Sequence, residues 1–169
     1  LDHSFPHHNP NPEDMKMLRA VSAKVLETRA DVGLAFDGDG DRCGVVANDG
    51  HEIFADKVGV MLARDISSIY KGAKFVVDVK STGLFTTDPV LIANGATTAY
   101  WKTGHSYIKR YNFEHKTLVG FEKSGHFFFN EPLGRGYDDG LVAALAVCDM
   151  LDRNPGKTMA DLRDALPKT

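Results

Sequence analysis

Apolar positions recur along this chain with two alternating periods, and their alternation lays out an α/β protein. After the turn-forming Asn9-Pro10-Asn11-Pro12, Met15, Leu18, Val21, Val25 and Leu26 fall at helical spacing. This predicts a helix over about residues 12–29, with Pro12 near its first turn, where a missing N–H is harmless. Two short apolar runs follow, residues 31–36 and 43–47, read as strands joined by an acidic loop. Asn48-Asp49-Gly50 is a hairpin-type turn into residues 51–54. A second helix is predicted over residues 56–70, with Val60, Met61, Ile66 and Ile69 facing inward.

From there strands and helices alternate. Strands are predicted over residues 74–79, 97–101, 117–121 and 127–129, and helices over 86–93, 106–114 and 138–152. A closing helix starts at Thr158, with Asp161 as its capping-box partner. This rhythm argues for an α/β fold, a layered, parallel or mixed sheet flanked by helices. The shift in composition at Asn48 to Gly50 suggests a division into residues 1–49 and 50–169.

Composition changes the picture little. The 169 residues suffice for one good-sized core, or one domain plus a piece of another, and 43% apolar with 25% charged residues is ordinary for a soluble globular protein. A formal charge of −3 implies neither a nucleic acid nor another strongly charged partner. No apolar run approaches a membrane span, and Leu1-Asp2-His3-Ser4 has no leader character, so a cytoplasmic protein is expected. Cys43 and Cys148 lie too far apart for a metal or redox motif and read as buried thiols. His3, His7 and His8 are explained by their proline-rich loop rather than by a metal.

Chemistry concentrates in Phe36-Asp37-Gly38-Asp39-Gly40-Asp41-Arg42. Three carboxylates at alternate positions, with glycines to turn the backbone, crowd into one small volume and repel unless a cation sits among them. Hard anionic oxygens suit magnesium, calcium or manganese. An EF-hand loop counted from Asp37 needs glycine at its sixth position and glutamate at its twelfth, where this chain has Arg42 and Asn48. A haloacid-dehalogenase-type phosphatase would use Asp37 as nucleophile but usually carries Thr or Val where Asp41 stands. A non-catalytic module that binds a metal or sugar is a third possibility.

Other candidate groups lie further along. Glu122-Lys123-Ser124-Gly125-His126 places a carboxylate and a hydroxyl two apart on a loop tightened by glycine, able to meet two adjacent sugar hydroxyls, with His126 able to meet phosphate or move a proton. Thr103 and Gly104 precede a helix, where backbone N–H groups can receive an anion. Lys80 follows a strand in Asp78-Val79-Lys80 and offers a point charge, and ligands in open α/β sheets gather at such strand ends.

The string D-G-D-G-D-R resembles the metal loop of the α-D-phosphohexomutases, and E-K-S-G-H their E-x-S-G-H sugar loop. Trp101 to Lys109, read W-K-T-G-H-S-Y-I-K, is similar to a segment of the phosphomannomutase/phosphoglucomutase branch, and this string disfavours the phosphoglucosamine mutase branch. The segment 2–12 resembles the stretch before the last helix of the family's second domain, and Gly134 to Gly140 the turn into the last long helix of its third. The resemblance implies that Asp37, Asp39 and Asp41 ligate Mg2+ and that Arg42, His105 and His126 act at the catalytic centre. It further implies that Lys80, Thr103, Gly104, His105, Glu122, Ser124, Gly125 and His126 bind a mannose or glucose phosphate. The chain departs from the family at Phe121, commonly glycine there, with an expected tilt of the sugar loop.

Members of this family transfer phosphate from a phosphoserine on a first domain and clamp it with a fourth. No T-A-S-H-N-P-like loop is present; His8-Asn9-Pro10 follows His7, not serine. The resemblance therefore implies a fragment, the end of domain two with domain three, inactive alone and partnered by the missing domains one and four of the same parent chain.

Overall fold

The computed structural model describes residues 3–168. Helix α1 (Met15–Thr28) leads into strands β1 (Val32–Phe36), β2 (Cys43–Ala47) and β3 (Glu52–Ile53), which form an antiparallel sheet in that order. Helix α2 (Ala55–Ile69) follows, then β4 (Lys74–Asp78), the short helices α3 (Leu84–Thr87) and α4 (Pro89–Ala93), β5 (Thr97–Trp101), α5 (His105–His115), β6 (Val119–Phe121) and β7 (Phe127–Phe129). Helices α6 (Gly140–Asp152) and α7 (Met159–Asp164) close the chain. The second sheet has the order β5-β4-β6-β7, with β5, β4 and β6 parallel and β7 antiparallel. The predicted mixed sheet flanked by helices is what forms. Among the described residues no helix is long and apolar enough to cross a membrane.

The faces of β4 explain the layering. Phe75 and Val77 point into the main core, where they meet α2, α6 and α7 residues such as Leu62, Val147 and Met159. Val76, on the opposite face, packs with Ile108 of α5 and Phe128 of β7. A strand buried on both faces reads as a continuous apolar run, as Phe75-Val76-Val77 does. The main core also contains Cys43, Val45 and Ala47 of β2 and Ile53 of β3, so apolar packing is continuous across the turn at residue 50. Phe121 lies in this core, its ring 5.5 Å from Phe85, 5.9 Å from Phe75 and 5.1 Å from Phe127.

Several boundaries depart from the sequence expectations for local reasons. Helix α1 starts at Met15 because the Asp14 side chain caps it, so Pro12 lies outside the helix. The segment expected as one helix over 86–93 is two, since Pro89 holds Asp88 extended and that residue caps the second. Helix α6 begins at Gly140 with Asp139 as its cap, two residues later than expected. The Thr158–Asp161 capping box forms as predicted. Ile69 is 51% exposed rather than inward, because it closes the last turn of α2 beyond the buried Ile66. Cys148 is exposed, not buried, since it lies on the outer face of α6 with Leu141 and Leu145.

The β2–β3 turn is fastened to the end of the chain. Arg163 of α7 donates through Nη1 and Nη2 to the two oxygens of Asp49 at 3.1 and 2.8 Å, and Ala160 N–H donates to Asn48. The Arg163 guanidinium holds the Asp49 carboxyl well below the usual carboxylate range. A depressed folded-state value stabilises the fold above the unfolded value of about 3.9 and loses that contribution as pH falls. Asp49→Asn is expected to cost no more than about 1 kcal/mol at neutral pH, since the pair is partly solvated. The gap from the native protein should narrow in thermal melts taken progressively below about pH 4.

Candidate functional site

Topology selects one end of the parallel sheet. From β4 the chain passes to β5 on one side, then crosses back over β4 to reach β6 on the other. That reversal is a topological switch point, and open α/β sheets collect ligands at the carboxyl ends of the strands beside such a point. Lys80 follows β4, Thr103 to His105 follow β5, and Glu122 to His126 follow β6, so the three substrate-loop candidates share this end.

The aspartate loop reaches the same end from the other sheet, as the connection between β1 and β2. Two contacts hold it there. Arg42 and His126 form a single antiparallel bridge, which joins the acidic loop to the E-K-S-G-H loop through the backbone. The N–H of Gly140, first residue of α6, donates to Gly40 C=O at 2.9 Å. A Cβ on Gly140 would lie 2.7 Å from the carbonyl oxygens of both Gly40 and Arg42, so only glycine permits this approach. Gly125, at φ 100°, turns the E-K-S-G-H loop against Arg42.

Oxygens of Asp37, Asp39 and Asp41 lie within 4.8 Å of one another, close enough for one cation. Arg42 engages Asp37, its N–H donating to Oδ1 at 3.2 Å and its Nε–H to Oδ2 at 2.6 Å. Burial pushes the Asp37 carboxyl up, but the Arg42 bonds outweigh it and hold the group below its ordinary value. Asp41 is treated differently. Burial together with the charges of Asp37, Asp39 and Asp138 pushes it up to about 6, and its Oδ1 is buried without a hydrogen-bond partner. An orphaned carboxylate oxygen among hard anionic neighbours fits a metal cofactor at this position.

In the E-K-S-G-H loop, Glu122 is 2% exposed. Its Oε1 accepts the N–H of Gly104 at 2.7 Å, and its Oε2 lies 3.4 Å from His126 Nδ1. Burial pushes the Glu122 carboxyl up and the His126 imidazole down. Ser124 Oγ and His126 Nδ1 lie 3.0 Å apart, while His126 Nε2 faces Asp41 Oδ2 at 3.4 Å. The Gly104 N–H expected to receive an external anion thus already receives the Glu122 carboxylate. His105 is more than half exposed, its ring 6.0 Å from that of His126, and Lys80 is exposed with no ion pair within the described residues. Phe121 points into the core while Glu122 points toward the loops, so the aromatic departure lies under the sugar loop rather than in it.

Three further residues enter the site without having been singled out in the sequence. Asp138 groups with Asp41 and His126 within 4.8 Å, accepts from Lys109 Nζ at 2.9 Å and lies 4.0 Å from His105 Nδ1. Burial pushes the Asp138 carboxyl up, but the Lys109 bond, a backbone hydrogen bond and the charges of Lys109 and His126 together hold it below its ordinary value. Asp78, at the end of β4, is the third and is buried. The string Y-D-D-G before α6 was the available signal for Asp138, read only as a turn.

Residues 54–169 match the model of phosphoglucomutase/phosphomannomutase alpha/beta/alpha domain III, and residues 1–50 that of domain II. The chain belongs to the phosphoglucomutase/phosphomannomutase family. It is 40% identical over 167 residues to a phosphomannomutase/phosphoglucomutase of Pseudomonas syringae, covering 99% of this chain and 35% of that protein. It is 39% identical over 168 residues to a phosphoglucomutase of Neisseria meningitidis, covering 98% and 36%. A crystal structure of a phosphoglucomutase/phosphomannomutase family protein from Burkholderia thailandensis superposes with a TM-score of 0.89 at 37% identity, covering 99% of this chain and 36% of that one. The chain therefore spans about a third of the length of these relatives.

The contact between α6 and the acidic loop is testable. Gly140→Ala forces a methyl group onto two carbonyl oxygens and is expected to destabilise the fold by about 1–3 kcal/mol. Chemical denaturation should register the loss, and Gly83→Ala, with nothing within 4 Å of its Cβ position, is the control that stays close to the native midpoint.

Proposed function

We propose that this chain supplies the metal loop and sugar loop of a phosphomannomutase/phosphoglucomutase that interconverts hexose 1- and 6-phosphates through a phosphoserine and a bisphosphorylated sugar. The observation that carries the reading is the Arg42–His126 bridge, which brings the acidic loop and the E-K-S-G-H loop together beside the unsatisfied Asp41 oxygen. Identity near 40% to named mutases supports it. We further propose the division into residues 1–49, the end of domain two, and 50–169, domain three, which the two family-model matches support.

Asp37, Asp39 and Asp41 would hold Mg2+, which when bound stabilises charge developing on a transferring phosphoryl group. The protein's own residues bind and orient the substrate. Lys80 and His105, both exposed on strand-end loops, present cationic or hydrogen-bonding groups to phosphate. Arg42, fixed by Asp37 and with Nη1 3.5 Å from Ser124 C=O, lies where the metal loop and sugar loop meet. Ser124 Oγ offers a hydroxyl to the sugar, and Glu122 retains lone pairs beyond the two contacts that fix it. His126, whose imidazole burial pushes toward the neutral form, lies 3.0 Å from Ser124 Oγ and is able to exchange a proton with it or with a substrate hydroxyl.

A phosphatase using Asp37 as nucleophile is poorly served by this geometry. Both Asp37 oxygens accept bonds from Arg42 and the side chain is 4% exposed.

Two measurements test the reading. Asp39→Asn in the intact parent protein is expected to weaken Mg2+ binding about tenfold or more in calorimetry, and unchanged affinity would count against the metal assignment. A chain of these 169 residues, which carries no T-A-S-H-N-P-like loop, is expected to show no mutase turnover with glucose 1-phosphate, while the intact protein does. Turnover by the short chain at a rate like that of the intact protein overturns the proposal.

A further inference from the structure

The central strand of the parallel sheet ends on a buried carboxylate that belongs to neither the metal loop nor the sugar loop. Asp78 closes β4 and is 1% exposed. It accepts hydrogen bonds from three donors on three different loops. Ser81 Oγ, one residue beyond Lys80, donates to Oδ1 at 2.5 Å. Thr103 Oγ1, on the loop after β5, donates to Oδ2 at 3.3 Å, and the Lys123 N–H, inside the E-K-S-G-H loop, donates to Oδ1 at 3.3 Å.

Position explains how one side chain reaches all three. β4 lies between β5 and β6, and Asp78 pairs in register with Trp101, the last residue of β5. A side chain at the end of a middle strand has a neighbouring loop on either side and its own loop above it. The backbone reinforces the arrangement, with Ser81 N–H donating to Asp78 C=O at 3.0 Å and Val79 N–H to Trp101 C=O at 2.9 Å. Glu122 adds a second tie between two of the loops through Gly104 N–H. A buried carboxylate is costly unless its lone pairs are used, and bonds to an ionised acceptor are about twice as strong as neutral ones. Its presence here is explained by the donors it gathers.

We propose that Asp78 is a positioning residue. It ties the loops carrying Lys80, Thr103 to His105 and Glu122 to His126 into one phosphosugar-binding unit, and does so without touching the sugar. The proposal rests on the reading of these loops as a hexose phosphate site. It also reassigns Thr103, whose hydroxyl is turned to Asp78, as part of the tie.

A tie of this kind depends on acceptor geometry more than on charge. The side-chain amide in Asp78→Asn keeps an oxygen for Ser81 and Lys123, and its NH2 can donate to Thr103, whose hydroxyl then accepts. Asp78→Ala keeps none of these bonds. In the intact parent protein with Mg2+ and glucose 1-phosphate, Asp78→Ala is expected to raise KM about tenfold or more while kcat changes less than about threefold. Asp78→Asn should restore KM to within about twofold of the native value. Hydrogen exchange measured by mass spectrometry should accelerate in all three loops of Asp78→Ala and remain native in Asp78→Asn.

Acceleration confined to the loop after β4 would make Asp78 a local turn residue and overturn the proposal. An Asp78→Asn variant as impaired as Asp78→Ala would assign the effect to charge and overturn it as well. Should Asp78→Ala fail to fold, Ser81→Ala and Thr103→Val decide. Loss of either donor is expected to speed exchange in the loops that did not carry it, and a purely local effect sinks the idea. The exchange measurements need no turnover. A parent protein inactive on hexose phosphates would therefore refute the proposed function while the role of Asp78 in joining the loops is still judged.

Discussion

Asp41 is pressed by Asp37 and Asp39 from its own loop and by Asp138 from the residues before α6, in a setting where burial removes the water that would screen them. Two of its neighbours are relieved by cations of the chain, Asp37 by Arg42 and Asp138 by Lys109. Asp41 Oδ2 faces His126 Nε2 at 3.4 Å, and that imidazole is pushed by burial, and further by Arg42, toward the neutral form. Negative charge is thus gathered at one point, and the nearest cation of the chain, Arg42, bonds Asp37 through Nε at 2.6 Å and stays 4.0 Å from Asp41 Oδ1. A metal cofactor bound among these oxygens would offset that charge, and the surrounding contacts fix the loop that presents them.

Keeping the loop in place is a matter of packing as well as charge. The acidic loop leaves a small antiparallel sheet, the E-K-S-G-H loop leaves the parallel part of the other, and the contacts at this end are the Arg42–His126 bridge and the docking of Gly140 on Gly40. Below them lies a continuous apolar core that includes residues of both sheets. Polar ties then fix the loops, the buried Asp78 and Glu122 among the strand ends and the partly solvated Arg163–Asp49 pair at the hairpin. Hydrophobic burial supplies the support, and the buried carboxylates fix the loops to it.

Which parts of this were legible in the sequence follows from the range of the interactions concerned. D-G-D-G-D-R and E-K-S-G-H carry their chemistry within a few residues, so their residues could be named from sequence and are found at the same strand ends. Strand positions were equally local, and residues 43–47, 97–101 and 127–129 form strands as expected. The roles of Asp78, Lys109 and Asp138 arise from contacts between distant segments, with Asp78 accepting from a residue 45 positions away, so the strings that contain them do not tell what they bond. Helix ends were misjudged where a cap outweighed the apolar spacing, at Asp14, at Asp88 before Pro89, and at Asp139. The exposure of Cys148 and Ile69 was hidden for another reason, because apolar character does not say on its own which face of a helix has a neighbour.

Phe121 shows how the two levels interact. Its ring packs against Phe75, Phe85 and Phe127 on the core face of β6, whereas Gly120 before it faces Ile108 and Val76 of the α5 layer. Strand alternation then directs Glu122 to the side of α5, where the Gly104 N–H awaits it at the start of that helix. A large ring at position 121 therefore acts on the sugar loop only through the strand on which both sit. A change there alters how firmly the floor of the site is held, while the groups that face a ligand are chosen by the residues on the other side of the pleat.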